Sequence, residues 1–90
     1  MSADSQAKQM AVQMIEYLKS KILRDDNVEI LLDTSLVASG MIDSFALIDI
    51  LLQLEKVTQR KISPGKVSPR DMDTVTLMLI TAERVGKPRP

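Results

Sequence analysis

Asp43 and Ser44 stand side by side in the stretch G-M-I-D-S-F, residues 40 to 45, and Phe45, the sole phenylalanine of the chain, follows at once. Two chemistries are open to such a pair. The hydroxyl can act as a nucleophile, or the pair can cap a helix. In a cap, a side-chain oxygen accepts a hydrogen bond from an unpaired first-turn amide, which is worth about 1 kcal/mol. A self-contained nucleophile needs a base within hydrogen-bond reach. The 90 residues include no His, and no S-x-x-K occurs with its supporting motifs. If the Ser44 hydroxyl reacts, another protein must activate it. With no Cys there is also no disulfide and no thiolate metal site. Most enzyme chemistry is thereby disfavoured.

Taken alone, capping is the simpler use of Asp43 and Ser44. Yet if Asp43 caps, Ser44 falls at the first helical position, where its hydroxyl is not needed for the cap and is free to face solvent. Gly40 lets the chain turn sharply into the helix. Met41, Ile42 and Phe45 put apolar surface around the helix start, where it either packs or meets a partner.

The elements that must position this stretch are helical. Hydrophobic residues form 44% of the chain, but its only aromatics are Tyr17 and Phe45. The core is therefore built from Leu, Ile, Val, Ala and Met, a composition that favours helices. Ala11, Ile15, Leu18 and Ile22 recur at steps of four, three and four, which predicts an amphipathic helix from about Asp4 to Leu23. Residues 24 to 43 lose that period and read as a long loop, with a short helical turn at Val28 to Leu32. Val28, Ile30, Leu31, Leu32, Leu36 and Val37 are its expected anchors. The strongest helical pattern runs from residue 44 to about 60, where Asp49, Gln53, Lys56 and Arg60 mark one polar stripe and apolar residues fill most of the remaining circumference. A helix so widely apolar is expected to be central.

Beyond it, S-P-G at residues 63 to 65 breaks the pattern. Ser68-Pro69-Arg70-Asp71 predicts one short helical turn. A last helix runs from about Thr74 to Val85, with Val75, Met78, Leu79 and Ala82 on one face, and Gly86 stops it. Met10, Met14, Met72 and Met78 are core fillers. The expected fold is all-α: a small antiparallel four-helix bundle, three helices long and one short, with a long first loop. One domain covers residues 1 to 86, and a disordered basic tail covers residues 87 to 90.

Net charge is zero, but residues 1 to 43 carry seven acids against four bases. Asp25, Asp26, Glu29, Asp33 and Asp43 follow one another with no Lys or Arg between them. Such an acidic approach argues against docking on nucleic acid, and the scattered bases argue against a helix-turn-helix DNA binder. The N-terminus has no basic start followed by an apolar segment, and no apolar run approaches the ~20 residues of a membrane span. A monomer in the cytoplasm, with no membrane insertion, is expected.

The run from Gly40 to Ile62, G-M-I-D-S-F-A-L-I-D-I-L-L-Q-L-E-K-V-T-Q-R-K-I, resembles the acyl carrier protein family of acyl, aminoacyl and peptidyl carriers. The family hallmark is Asp-Ser followed by Leu, Met or Phe at the start of the second helix. P-R-D-M-D-T-V, residues 69 to 75, is similar to the family's Pro-x-Asp-Phe-x-Thr-Val stretch, with Met72 in place of the usual aromatic. The resemblance covers roughly Leu36 to Val85.

It implies that Ser44 is the attachment point for 4′-phosphopantetheine, donated from coenzyme A by a phosphopantetheinyl transferase that supplies the base and Mg²⁺. The chain would then catalyse nothing itself and carry an acyl or aminoacyl group as a thioester between partner enzymes. An adenylate-forming ligase would load it, and an acyltransferase or synthase would unload it. Met41, Ile42, Asp43 and Phe45 are the expected partner-recognition residues. Where many fatty-acid carriers have a strongly acidic second helix, this one mixes Asp49 and Glu55 with Lys56, Arg60 and Lys61, and Thr58-Gln59 replaces the usual aromatic-glycine pair. These departures count against general fatty-acid synthesis and point to a specialised stand-alone carrier; the family as a whole implies fatty acid, polyketide or nonribosomal peptide biosynthesis. The competing expectation is a helical protein-interaction or dimerisation module that is never modified.

Overall fold

Three amphipathic segments, each with one face to bury, pack pairwise so that every helix touches the other two. The computed structural model describes residues 3 to 88. Helix α1 spans Ala3–Tyr17 and widens into a π-helical turn at Leu18–Ile22, where the Leu23 amide donates to the Leu18 carbonyl at 2.8 Å. The Ser20 hydroxyl takes the Glu16 carbonyl at 2.6 Å, which offers that acceptor an alternative to the regular ladder. Helix α2 spans Ala46–Thr58 and helix α3 spans Val75–Val85. Met14, Leu18, Leu36, Ile50, Leu54 and Met78 are fully buried at their shared centre. Among the methionines expected as core fillers, Met72 is buried with them and Met10 is half-buried.

The result is a mostly helical small domain with three helices and a two-stranded antiparallel sheet. Strand β1 is Arg60–Lys61 and strand β2 is Lys87–Pro88, with Lys61 opposite Lys87. This sheet departs from the all-α expectation and puts Lys87 and Pro88 in a paired strand, where a disordered tail was expected; residues 89 and 90 of that tail lie outside the described residues. The close approach depends on Gly86, since a Cβ there would meet the Ala82 carbonyl oxygen and the Arg60 side chain. The Arg60 guanidinium also donates to the Gly86 carbonyl at 3.2 Å.

Three further differences have local causes. Helix α2 ends before the proline break at residue 64, because Gln59 turns left-handed (φ 56°) and its amide returns to the Glu55 carbonyl. The expected short helix is a single 3₁₀ turn at Pro69–Met72, cut off where Thr74 takes an extended conformation to cap α3. The helical turn expected at Val28 to Leu32 does not form. Leu31 and Leu32 are exposed there, and Ile30 and Leu36 anchor the loop.

No helix among the described residues is long and apolar enough to cross a membrane.

Candidate functional site

The loop reaches α2 through a sharp turn. Gly40 has φ 84°, a left-handed conformation that favours glycine, and its amide donates to the Val37 carbonyl at 3.0 Å. The Ile42 side chain is buried and its amide donates to the Leu36 carbonyl at 2.9 Å. These contacts pin the chain just before Asp43. The Asp43 carboxylate then accepts from the Ala46 amide at 3.1 Å, three residues on, as an N-cap does. Regular α-helix starts at Ala46, and Ser44 and Phe45 form the turn that enters it.

With Asp43 serving as the cap, the Ser44 hydroxyl is exposed and has no hydrogen-bond partner among the described residues; only its carbonyl is used, by the Leu47 amide at 3.3 Å. Ser44 and Ile48 are among the residues lining a groove of about 210 Å³. Leu47 and Leu51 of α2 form one wall, and Val67, Pro69 and Met72 form the other. No imidazole or thiol exists in the chain to activate the hydroxyl. The arrangement leaves an exposed hydroxyl beside an apolar trough.

Of the residues expected to meet a partner, Asp43 and Phe45 are exposed, Met41 is half-buried, and Ile42 lies in the core. Ile42 therefore packs, because the chain must be anchored directly before the cap. Phe45 is 88% exposed, and Ile48 (56%) and Leu52 (58%) continue from it along α2 at steps of three and four. In the sequence, residues 45 to 57 form one broad apolar surface on a helix expected to be central, and nothing there separates this outward stripe from the buried face. An apolar arc wider than two packing neighbours can cover was its available signal.

A carboxylate far away in sequence holds the loop that leads to Ser44. Asp73, just before the α3 cap, accepts at Oδ1 from the amides of Val37 (2.9 Å) and Ala38 (2.8 Å), and both of its oxygens accept from the Ser35 hydroxyl at 3.1 Å. Its backbone carbonyl accepts from the Leu36 amide at 2.7 Å. The Ala38 amide first, then the Val37 amide and the Ser35 hydroxyl, hold the Asp73 carboxyl below the usual aspartate range. Asp71 is lowered as well, chiefly by the Ser68 amide. Where α1 meets α2, burial and then the nearby Asp49 charge push the Tyr17 phenol up, and its hydroxyl reaches the Asp49 carbonyl at 3.4 Å. The acidic residues of the loop do not gather: among the described residues no three carboxylates come together where a metal ion could sit.

A second apolar groove, about 540 Å³ in volume, lies between α1 and α3 and is lined by Ala11, Val12, Ile15, Leu32 and Ile80, with Lys8 and Glu83 at its rim. It shares no residue with the groove beside Ser44.

No family model, curated protein or solved structure matches the chain.

Proposed function

We propose that this chain is a stand-alone carrier protein of the acyl-carrier type, its helices and 3₁₀ turn serving as that family's four-helix bundle. Ser44 is its attachment site for 4′-phosphopantetheine. The observation that carries the proposal is the division of labour at the start of α2: Asp43 makes the cap, and the adjacent Ser44 hydroxyl is left exposed and unpartnered at the lip of an apolar groove. A serine spent on capping would be a poor handle. This one is free for a transferase to reach.

In the reaction, the Ser44 oxygen forms a bond to a phosphorus of the coenzyme A pyrophosphate, the bridging P–O bond breaks, the nucleotide bisphosphate leaves, and the hydroxyl proton passes to a base of the transferase. The arm so attached supplies the thiol that the cysteine-free chain lacks and holds an acyl or aminoacyl group as a thioester. The chain's own residues do the presenting. Asp43 fixes the helix start, the Gly40 turn and the buried Ile42 set its approach, and the groove shelters apolar atoms beside Ser44. Phe45, Ile48 and Leu52 offer the ligase, acyltransferase or synthase an apolar face. The mixed charge of α2 makes its partner docking less dependent on electrostatic steering than an acidic helix would. The carrier works in the cytoplasm.

Intact-mass measurement after incubation with coenzyme A, Mg²⁺ and a broad-specificity phosphopantetheinyl transferase tests the proposal. Wild-type protein gains one phosphopantetheinyl group and Ser44→Ala gains none. No gain on wild type, or a gain that survives Ser44→Ala, removes the proposal.

The groove between α1 and α3 favours a second reading, a helical interaction module that is never modified. Under it, Ser44→Ala leaves the cellular phenotype intact and Ile80→Lys abolishes it. The carrier reading demands the opposite for Ser44→Ala.

A further inference from the structure

We infer that Asp73 is the positioning residue for the Ser44 handle, acting from across the fold on both walls of the site; this rests on the carrier reading above. Its carboxylate gathers the Ser35 hydroxyl and the Val37 and Ala38 amides, residues separated from it by 38, 36 and 35 positions. The second tie runs through the backbone. The Leu36 amide donates to the Asp73 carbonyl (2.7 Å), and the Leu36 carbonyl accepts from the Ile42 amide (2.9 Å). Ile42 immediately precedes the Asp43 cap and Ser44. On its other side Asp73 adjoins Met72, which with Pro69 forms the groove wall facing α2. One residue thus joins the segment that delivers Ser44 to the turn that faces it across the trough.

The connection between α1 and α2 has no regular secondary structure over residues 24 to 45, so individual bonds set its path: the Thr76 amide holds the Leu32 carbonyl (3.1 Å), the Ser39 hydroxyl holds the Ser35 carbonyl (2.6 Å), and the Asp73 carboxylate makes the side-chain tie to residues 35 to 38. A loop of that length samples many conformations unless specific bonds select one. Free of Asp73, residues 35 to 42 would still carry the buried Leu36 and Ile42, but apolar burial is non-directional and does not orient a backbone. Hydrogen bonds to a fixed carboxylate do. The consequence falls on the encounter with the transferase, since a misplaced nucleophile lowers the fraction of encounters in reacting geometry.

Two substitutions separate this role from bulk stabilisation. Asn at position 73 keeps a carbonyl oxygen for the Val37 and Ala38 amides, whereas Ala removes every side-chain acceptor. Val57→Ala, about 20 Å along α2 from Ser44 by helical rise, serves as a destabilised control. Full-length wild type, Asp73→Asn, Asp73→Ala and Val57→Ala are each incubated with coenzyme A and a phosphopantetheinyl transferase at carrier concentrations below and above KM. The temperature is one at which all are folded by circular dichroism, and backbone amide exchange is followed in parallel.

Asp73→Ala is expected to take the group roughly tenfold more slowly at low carrier concentration, with faster exchange at Val37, Ala38 and Ile42. Asp73→Asn recovers most of the rate, and Val57→Ala keeps it. A wild-type rate in Asp73→Ala, or an equal loss in Val57→Ala, overturns the positioning role while leaving the carrier reading standing. If wild type takes no group at all, the carrier reading falls and the positioning role falls with it.

Discussion

Two helix entrances in this molecule use the same residue types to different ends. Between Ser68 and Thr74, nearly every polar group is occupied: Asp71 accepts from the Ser68 amide (3.0 Å) and hydroxyl (3.2 Å), Asp73 binds the loop, and Thr74 accepts from the Leu77 amide (3.0 Å). The apolar member of that segment, Met72, is buried. At Asp43 to Phe45 one acid caps, the serine hydroxyl is idle, and the large apolar side chain stands out in water. The first entrance is satisfied from within the fold. The second leaves both a polar and an apolar group exposed, as the proposed modification site requires.

The sharpest contrast comes from removing one hydroxyl in the second entrance. Ser44→Ala should abolish phosphopantetheine attachment completely in an intact-mass assay and shift stability by no more than about 0.5 kcal/mol, since no internal bond is lost. Next in size is Asp73→Ala, which should cost about 1–3 kcal/mol in urea unfolding because it orphans several donors at once.

Acid should expose the same carboxylate without mutation. The folded-state pKa of Asp73 is lowered, so its stabilisation is complete above the ordinary aspartate value of about 3.9 and is lost as pH falls through the lower folded value. The urea midpoint of wild type should therefore drop below about pH 4 more steeply than that of Asp73→Asn. Thr74→Ala should cost about 1 kcal/mol with attachment at Ser44 unchanged. The smallest stability effect belongs to Phe45→Ala, within about 0.5 kcal/mol because the ring is 88% exposed. Titration with a loading or transferring enzyme should show weaker binding for that variant. A large loss of stability there would mean that Phe45 packs, and the contrast between the two entrances would collapse.

Part of this contrast was legible in the residues themselves. Asp43 as the cap, Ser44 as the surplus hydroxyl, Gly40 as the turn and Thr74 at the head of α3 all follow from chemistry within a few positions. Leu31 and Leu32 misled, because an apolar residue in a loop reads as an anchor whether or not a neighbour arrives to cover it. Ile42 misled in the other direction, since an apolar residue beside a reactive serine reads as contact surface, while the fold needs it as a plug. Ile48 and Leu52 belong to an apolar surface over residues 45 to 57 that the sequence does show, but which of its members face water stays undecided until the number of packing partners is known.

Caps, helix periods and the absence of His and Cys were settled along the chain, since each depends on groups within about one helical turn or on composition alone. Which face of α2 is buried, the pairing of β1 with β2, and the reach of Asp73 to residues 35 to 38 were decided only by the folded packing. Their partners are brought together by burial of the common core, and no local preference records who the neighbours will be.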